Sequence, residues 1–243
     1  MTFLYQKSRC LIEAFSLHLK HLLLFLPTTM YEGSEIYGFI GHNGAGKTTT
    51  LKSVAGIQAF DHGEIYIDGI SIKDDPIACK RKIAYIPDNP DLYEYMTARQ
   101  YINFIQDVFE VGNERFERIE KYAKIFSIEK DLDQPIASFS HGMKQKVALI
   151  AAWVHQPKLV IMDEPFVGLD PTASHLLKQM MRELCEEGGA IFFSTHVLEV
   201  AEKLCDHIAI IKEGKLLKTG TMEEVKGDAS LETVFLEMEN ESV

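Results

Sequence analysis

The sequence predicts an α/β protein: a mostly parallel sheet with helices on its faces, interrupted once by a small all-helical stretch. Residues 35–40 and 158–162 are continuous apolar runs, the pattern of strands buried on both faces. Segments with helical spacing, at 50–57 and from Asp170 onward, follow those runs. Between about Thr97 and His155 the period is helical throughout.

In chain order, residues 1–32 are apolar without a clean period and are expected to hold short strands leading into 35–40. Residues 63–69 alternate and end on Asp68-Gly69, a strand entering a tight turn. Residues 83–86 form a short strand closed by Pro87, Asp88, Asn89 and Pro90. Thr97 then caps a helix whose Tyr101, Ile102, Ile105, Val108 and Phe109 share one face. A second helix starts near Asn113 and carries Phe116, Ile119, Tyr122, Ala123 and Phe126. A third follows Ser140 and runs to about His155, before Pro157. After the strand at 158–162, Asp170 and Pro171 open a helix that Gly188 and Gly189 end. A strand at 190–193, a helix at 197–205 and a hairpin of 207–211 with 215–217 complete the pattern.

Composition narrows the function. With 46% hydrophobic and 25% charged residues among 243, the chain reads as a soluble globular protein with a sizeable core. A net charge of −11 argues against a general nucleic-acid binder. The four cysteines (Cys10, Cys79, Cys185, Cys205) show no metal spacing and read as reduced, structural and cytosolic. The apolar stretch 17–26 is broken by His18, Lys20 and His21 and is shorter than the ~20 residues a bilayer requires. No small-residue cleavage site follows it, so it does not read as a signal peptide. Any membrane role therefore implies spans on another polypeptide.

Three stretches carry chemistry. Residues 41–49 fit G-x-x-x-x-G-K-[ST] between a strand and a helix N-terminus, the context of a phosphate site. Its N–H groups converge on phosphate oxygens, Lys47 reaches the β- and γ-phosphates, and the Thr48 hydroxyl ligates Mg2+. Asp163 and Glu164 close the buried strand at the sheet end where ligands of open α/β folds bind. There Asp163 holds Mg2+, directly or through water, and Glu164 accepts a proton from an attacking water; a solvated acidic turn is the bland alternative. Ser140 and Gly142 open a helix as a second anion site, or as an ordinary cap.

The order of these elements resembles the nucleotide-binding domain of ABC ATPases over roughly residues 33–220. That resemblance implies a P-loop NTPase core of mostly parallel sheet, an antiparallel β subdomain and a small inserted all-helical subdomain. Gly41, His42, Asn43, Gly44, Ala45, Gly46, Lys47, Thr48 and Thr49 are then the Walker A loop that holds ATP, and 159–164 the Walker B strand. Ser140, Gly142 and Gln145 are the signature motif, with His141 where a second glycine is common. Residues 168–170 look like the D-loop, and His196 like the switch histidine at the γ-phosphate. The implied catalytic set is Lys47, Glu164 and His196. Thr48, Asp163 and Asp88 are the implied Mg2+ ligands, Asp88 standing where the family carries a glutamine; Asn89 supplying the amide instead is the alternative. An adenine-stacking aromatic is expected near His18, with Phe15 close by.

The resemblance also implies organisation and partners. Residues 1–243 form one ABC ATPase domain: 1–90 and 156–220 as the α/β core, 91–155 as the helical subdomain, 221–243 as a C-terminal helical tail. ATP is expected to be trapped in a head-to-tail dimer with a second ATPase subunit. A separate transmembrane permease would be driven from the cytoplasmic face of the membrane, its helix received near Leu92, Tyr93 and Tyr95. No nucleic acid is expected. The alternatives are a soluble ABC ATPase acting on nucleic acid or ribosomes, and a purely regulatory ATP-binding module. The second predicts loss of catalytic groups, yet Glu164 and His196 are present.

Overall fold

The computed structural model describes the backbone of residues 12–19, 22–24 and 35–240, and the side chains of 35–238. Within 1–32, Ile12–Leu19 (β1) and Leu22–Leu24 (β2) are strands, as expected. The expected adenine contact at Phe15 and His18 concerns side chains outside the described set.

From there β3 (Ile36–Ile40) leads to α1 (Lys47–Val54), then β4 (His62–Ile67), β5 (Ile70–Ser71), α2 (Pro76–Arg81) and β6 (Ile83–Ile86). The helical stretch follows: α3 (Ala98–Val108), α4 (Arg115–Phe126), a 3-10 turn at Ile136–Ser138 and α5 (His141–Trp153). Next come β7 (Leu159–Asp163), α6 (Pro171–Glu186), β8 (Ala190–Thr195), α7 (Leu198–Leu204), β9 (His207–Lys212) and β10 (Lys215–Thr221). The last elements are α8 (Met222–Lys226) and α9 (Leu231–Asn240).

The strands form two sheets, and the predicted α/β class holds. One sheet has the order β10-β9-β3-β8-β7-β6, parallel except for the β9–β10 hairpin. The other, β2-β1-β4-β5, is antiparallel. Alternate side chains of the parallel strands enter two cores, which is why those strands read as unbroken apolar runs. Ile36, Ile40, Met162, Phe193 and Ile208 join α5, α6 and α7 on one face. Tyr37, Phe39, Ile161, Phe192 and Ala209 meet Leu51 and Val54 of α1, with Ile65 and Ile67 of β4, on the other.

Register decides where the site falls. Ile40 lies opposite Thr195, Ser194 opposite Asp163, and Met162 opposite Ile86. The loops after β3, β6, β7 and β8 therefore leave one edge of the sheet together.

Two local expectations are corrected. The first helix begins at Lys47 and ends at Val54, earlier than 50–57, because the turn of the glycine-rich loop itself starts it. The apolar stripe expected on the inserted helices is incomplete: Val108 is 55% and Phe116 66% exposed. At that level α3 turns Gln106 inward instead, and its amide donates to the Arg115 carbonyl at 3.1 Å, tying α3 to the start of α4. Helix α2, absent from the sequence reading, is capped by Asp75, whose carboxylate accepts the Ala78 N–H at 2.9 Å.

A close approach inside the central strand makes the core testable. A Cβ at Gly38 would fall 2.5 Å from the Cys205 sulfur, which is buried. Gly38→Ala is expected to cost about 1–3 kcal/mol, as overpacked cores do. Urea unfolding should show part of that loss recovered in the Gly38→Ala, Cys205→Ala double variant.

Candidate active site

The glycine-rich loop closes through a hydrogen bond from the Ala45 N–H to the His42 carbonyl (3.1 Å), and Gly46 (φ 105°) caps α1. Lys47 is the first residue of α1, and its side chain folds back over the loop. Its ammonium donates to the carbonyls of Gly41 (2.6 Å) and His42 (3.2 Å) and lies 3.6 Å from Glu164 Oε1. The loop is held from below by the β9–β10 turn, where the Gly214 N–H donates to the Ala45 carbonyl at 3.0 Å. Asn43 and Gly44 are exposed, and Thr49 is half-buried.

Asp163, at the end of β7, is 2% exposed. Its Oδ2 accepts the Thr48 hydroxyl at 2.5 Å, and its Oδ1 accepts the Ser194 hydroxyl from β8. Ser194 Oγ in turn accepts the Glu164 N–H at 3.1 Å. Sequence reasoning assigned Ser194 no role; a hydroxyl ending the strand next to an acidic strand end is the signal that points to it.

Glu164 has φ 47°, a left-handed conformation that is uncommon for residues other than glycine and concentrates at functional sites. This turn carries its carboxylate back toward β8. Oε2 lies 2.9 Å from His196 Nδ1 and accepts the His196 N–H at 3.4 Å. Oε1 is buried and accepts no hydrogen bond. That oxygen faces only the Lys47 ammonium, at 3.6 Å, among the ion pairs described. The Thr48 hydroxyl and Asp163 carboxylate are hard oxygen donors and fit Mg2+.

Ser140 caps α5, accepting the Met143 N–H at 3.3 Å, and is exposed with His141. Gly142 packs against the loop after β7: a Cβ there would lie 2.6 Å from the Gly168 carbonyl. Gly168 (φ 81°) lies under the His141 ring, so a side chain there would strike the imidazole at 2.4 Å. Lys146 pairs with Asp170 at 2.9 Å, fastening the same two segments together. No described hydrogen bond or ion pair joins Ser140 or Gly142 to Lys47, Thr48, Asp163 or Glu164. Gln145, the last residue of the expected signature motif, is fully buried on α5, and neither amide atom has a hydrogen-bond partner.

Asp88 is exposed, and one carboxylate oxygen accepts the neighbouring Asn89 N–H at 2.8 Å. Burial first, then the charges of Asp163 and Asp88, push the Tyr85 hydroxyl's pKa up. Both acids thus act on one side chain.

A buried acid gripped by two hydroxyls, beside a second acid aimed at a lysine-bearing glycine loop, defines a phosphate-loop NTPase site. Residues 27–167 match the family described as ABC transporter. The chain is 37% identical to the ABC-type transporter ATP-binding protein EcsA of Bacillus subtilis, over 86% of this chain and 87% of that protein. It is 34% identical to the ABC transporter ATP-binding protein all4389 of Nostoc sp., over 82% of this chain and 59% of that longer protein. A solved ATP-binding subunit of an ABC transporter superimposes with TM-score 0.88 at 34% identity, covering 94% of this chain and 99% of that one. The chain belongs to the ABC transporter family, as one of its transport-energising ATP-binding proteins.

The Asp163 cluster yields a direct test. Ser194→Ala removes one of the two hydroxyls that orient Asp163 and should raise the Mg2+ concentration for half-maximal ATP binding about 10-fold. Titration of Mg2+ against fluorescent-nucleotide binding measures the shift.

Proposed function

We propose that this chain hydrolyses MgATP within a head-to-tail dimer and passes the resulting motion to a separate transmembrane permease at the cytoplasmic face of the membrane. The observation that supports it most is the Glu164 carboxylate, held on one oxygen by His196 and open on the other toward Lys47. In this reading the N–H groups of residues 41–49 and the start of α1 receive the phosphates. Lys47 exchanges the Gly41 and His42 carbonyls for the β- and γ-phosphates. Thr48 and Asp163 hold Mg2+, with Asp88 approaching from the loop after β6. Bound Mg2+ neutralises charge on the phosphates during transfer. Glu164 Oε1 takes the proton of the attacking water, while His196, 51% exposed, faces the γ-phosphate from the open side. Ser140 and Gly142, at the start of α5, present N–H groups to the nucleotide of the opposite subunit. Residues 91–155 then act as the helical subdomain, attached to the core at 1–90 and 156–220 and followed by the tail at 221–243.

The permease site is proposed beside edge strand β6. A cavity of about 320 Å³ there is lined by Leu92, Tyr101, Ile105, Phe109, Ala152 and His155 among others. The Phe109 and His155 rings stack at 3.7 Å, and burial holds the His155 pKa down to about 4, so that imidazole is neutral near pH 7; Asp91 is the acidic residue of the lining. Tyr93 and Tyr95 stack on each other at 5.8 Å and are 45% and 80% exposed. Exposed aromatics beside a mostly apolar floor are the composition of a protein interface. Among the described residues no helix is long and apolar enough to cross a membrane. In this reading the spans belong to the permease.

Glu164→Gln should keep ATP binding, lower turnover at least about 100-fold and accumulate an ATP-bound dimer. Phosphate release and size-exclusion mass with ATP measure both, and near-wild-type turnover would remove Glu164 from the role of base. A cysteine placed at Tyr95 and cross-linked in native membranes should capture a polytopic membrane protein. Capture of ATPase subunits alone would favour a soluble ATPase.

A further inference from the structure

The phosphate loop is also gripped by the last described helix. Phe235 of α9, 7% exposed, sets its ring edge-on to the His42 imidazole, with centroids 5.1 Å apart and planes at 68°. Helix α9 is well anchored behind this contact. Leu231, Val234 and Phe235 form one buried stripe at i, i+3, i+4 spacing. The Leu231 N–H donates to Glu202 Oε2 at 3.1 Å, and Lys226 pairs with Glu202 Oε1 at 2.6 Å. Glu202 lies on α7, the helix that begins two residues beyond His196. What Phe235 touches is therefore backed by a fixed body.

What it touches also matters chemically. The carbonyl of His42 accepts both the Ala45 N–H and the Lys47 ammonium. Fixing the His42 ring fixes the residue that sets the curve of the loop and the resting place of its lysine. A loop that keeps this curve before nucleotide arrives loses no affinity to a binding-incompetent population.

We propose that Phe235 is a positioning residue for ATP binding, which holds the phosphate loop in its nucleotide-receiving shape through His42. This rests on the ATPase reading above. Phe235 touches no reacting atom in this account, so the effect falls on nucleotide affinity and not on the chemical step.

Four variants test it by MgATP binding, KM, kcat and thermal unfolding. Phe235→Leu keeps apolar bulk but loses the ring; it should raise Kd and KM for ATP about 5-fold while kcat stays within about 2-fold. Phe235→Tyr keeps the ring and should bind as wild type. Val234→Ala, on the same buried stripe, should lower Tm yet leave Kd unchanged, which separates positioning from packing. His42→Ala should raise Kd, and adding Phe235→Leu to it should raise Kd no further, the non-additivity of residues acting through one contact. If Phe235→Leu does not fold, Phe235→Met carries the same expectation. Wild-type Kd in the ring-less variant, an equal Kd rise in Val234→Ala, or additive effects with His42→Ala would each overturn the inference. A wild-type chain that binds no MgATP would overturn the ATPase reading and this inference with it, whereas normal wild-type binding isolates the failure to Phe235.

Discussion

A carboxylate that is 2% exposed, as Asp163 is, must have its charge compensated or lie badly in an apolar sheet. Thr48 from α1 and Ser194 from β8 supply that compensation, one hydroxyl to each oxygen. The grip joins three successive pieces of the core at one point: the helix after β3, the end of β7 and the end of β8. Through Ser194 it also fixes the backbone of Glu164, and through Glu164 it reaches His196 and Lys47. Thr48, Asp163, Ser194, Glu164, His196 and Lys47 thus form one connected set. The parallel register that makes this possible is a backbone hydrogen-bond ladder, held in place by apolar packing on both faces of the sheet.

The remainder of the site is arranged around close approach. Gly142 and Gly168 let the start of α5 and the loop after β7 touch backbone to backbone, and the His141 ring lies over Gly168. The Lys146–Asp170 pair closes the same seam at its other side. These contacts fasten the start of α5 directly to the loop that follows Glu164.

Much of this was legible in the sequence because its signals were local. Strands β3 and β7 announced themselves as apolar runs, Thr97 formed the N-cap expected of it, and the Asp170-Pro171 pair started α6. Helix α2 carries the same Asp-Pro signal at Asp75-Pro76, but its six residues are too short for a period to show. Misses at the site had a different origin. Ser194 gains its contact from Asp163, 31 residues earlier on the adjacent strand, and the spacing of 140–145 does not show that Gln145 is buried. Val108 and Phe116 fit an apolar stripe by spacing, yet the α3–α4 seam was closed by a glutamine amide. Burial of this kind depends on which helices meet, and spacing along one helix does not contain it.

The stacked His155 under Phe109 has one more consequence, concerning acid. Burial holds its folded pKa near 4, against an ordinary value of 6.5. Between those values the unfolded chain binds a proton that the folded chain refuses, so folding weakens as pH falls through that window. Its Nε2–H donates to the Ile83 carbonyl at 3.4 Å, where edge strand β6 meets the end of α5, so the added proton would enter at the buried Nδ1, which has no hydrogen-bond partner. Acid therefore acts on the seam between sheet and helical insert, through a histidine that lies apart from the phosphate loop.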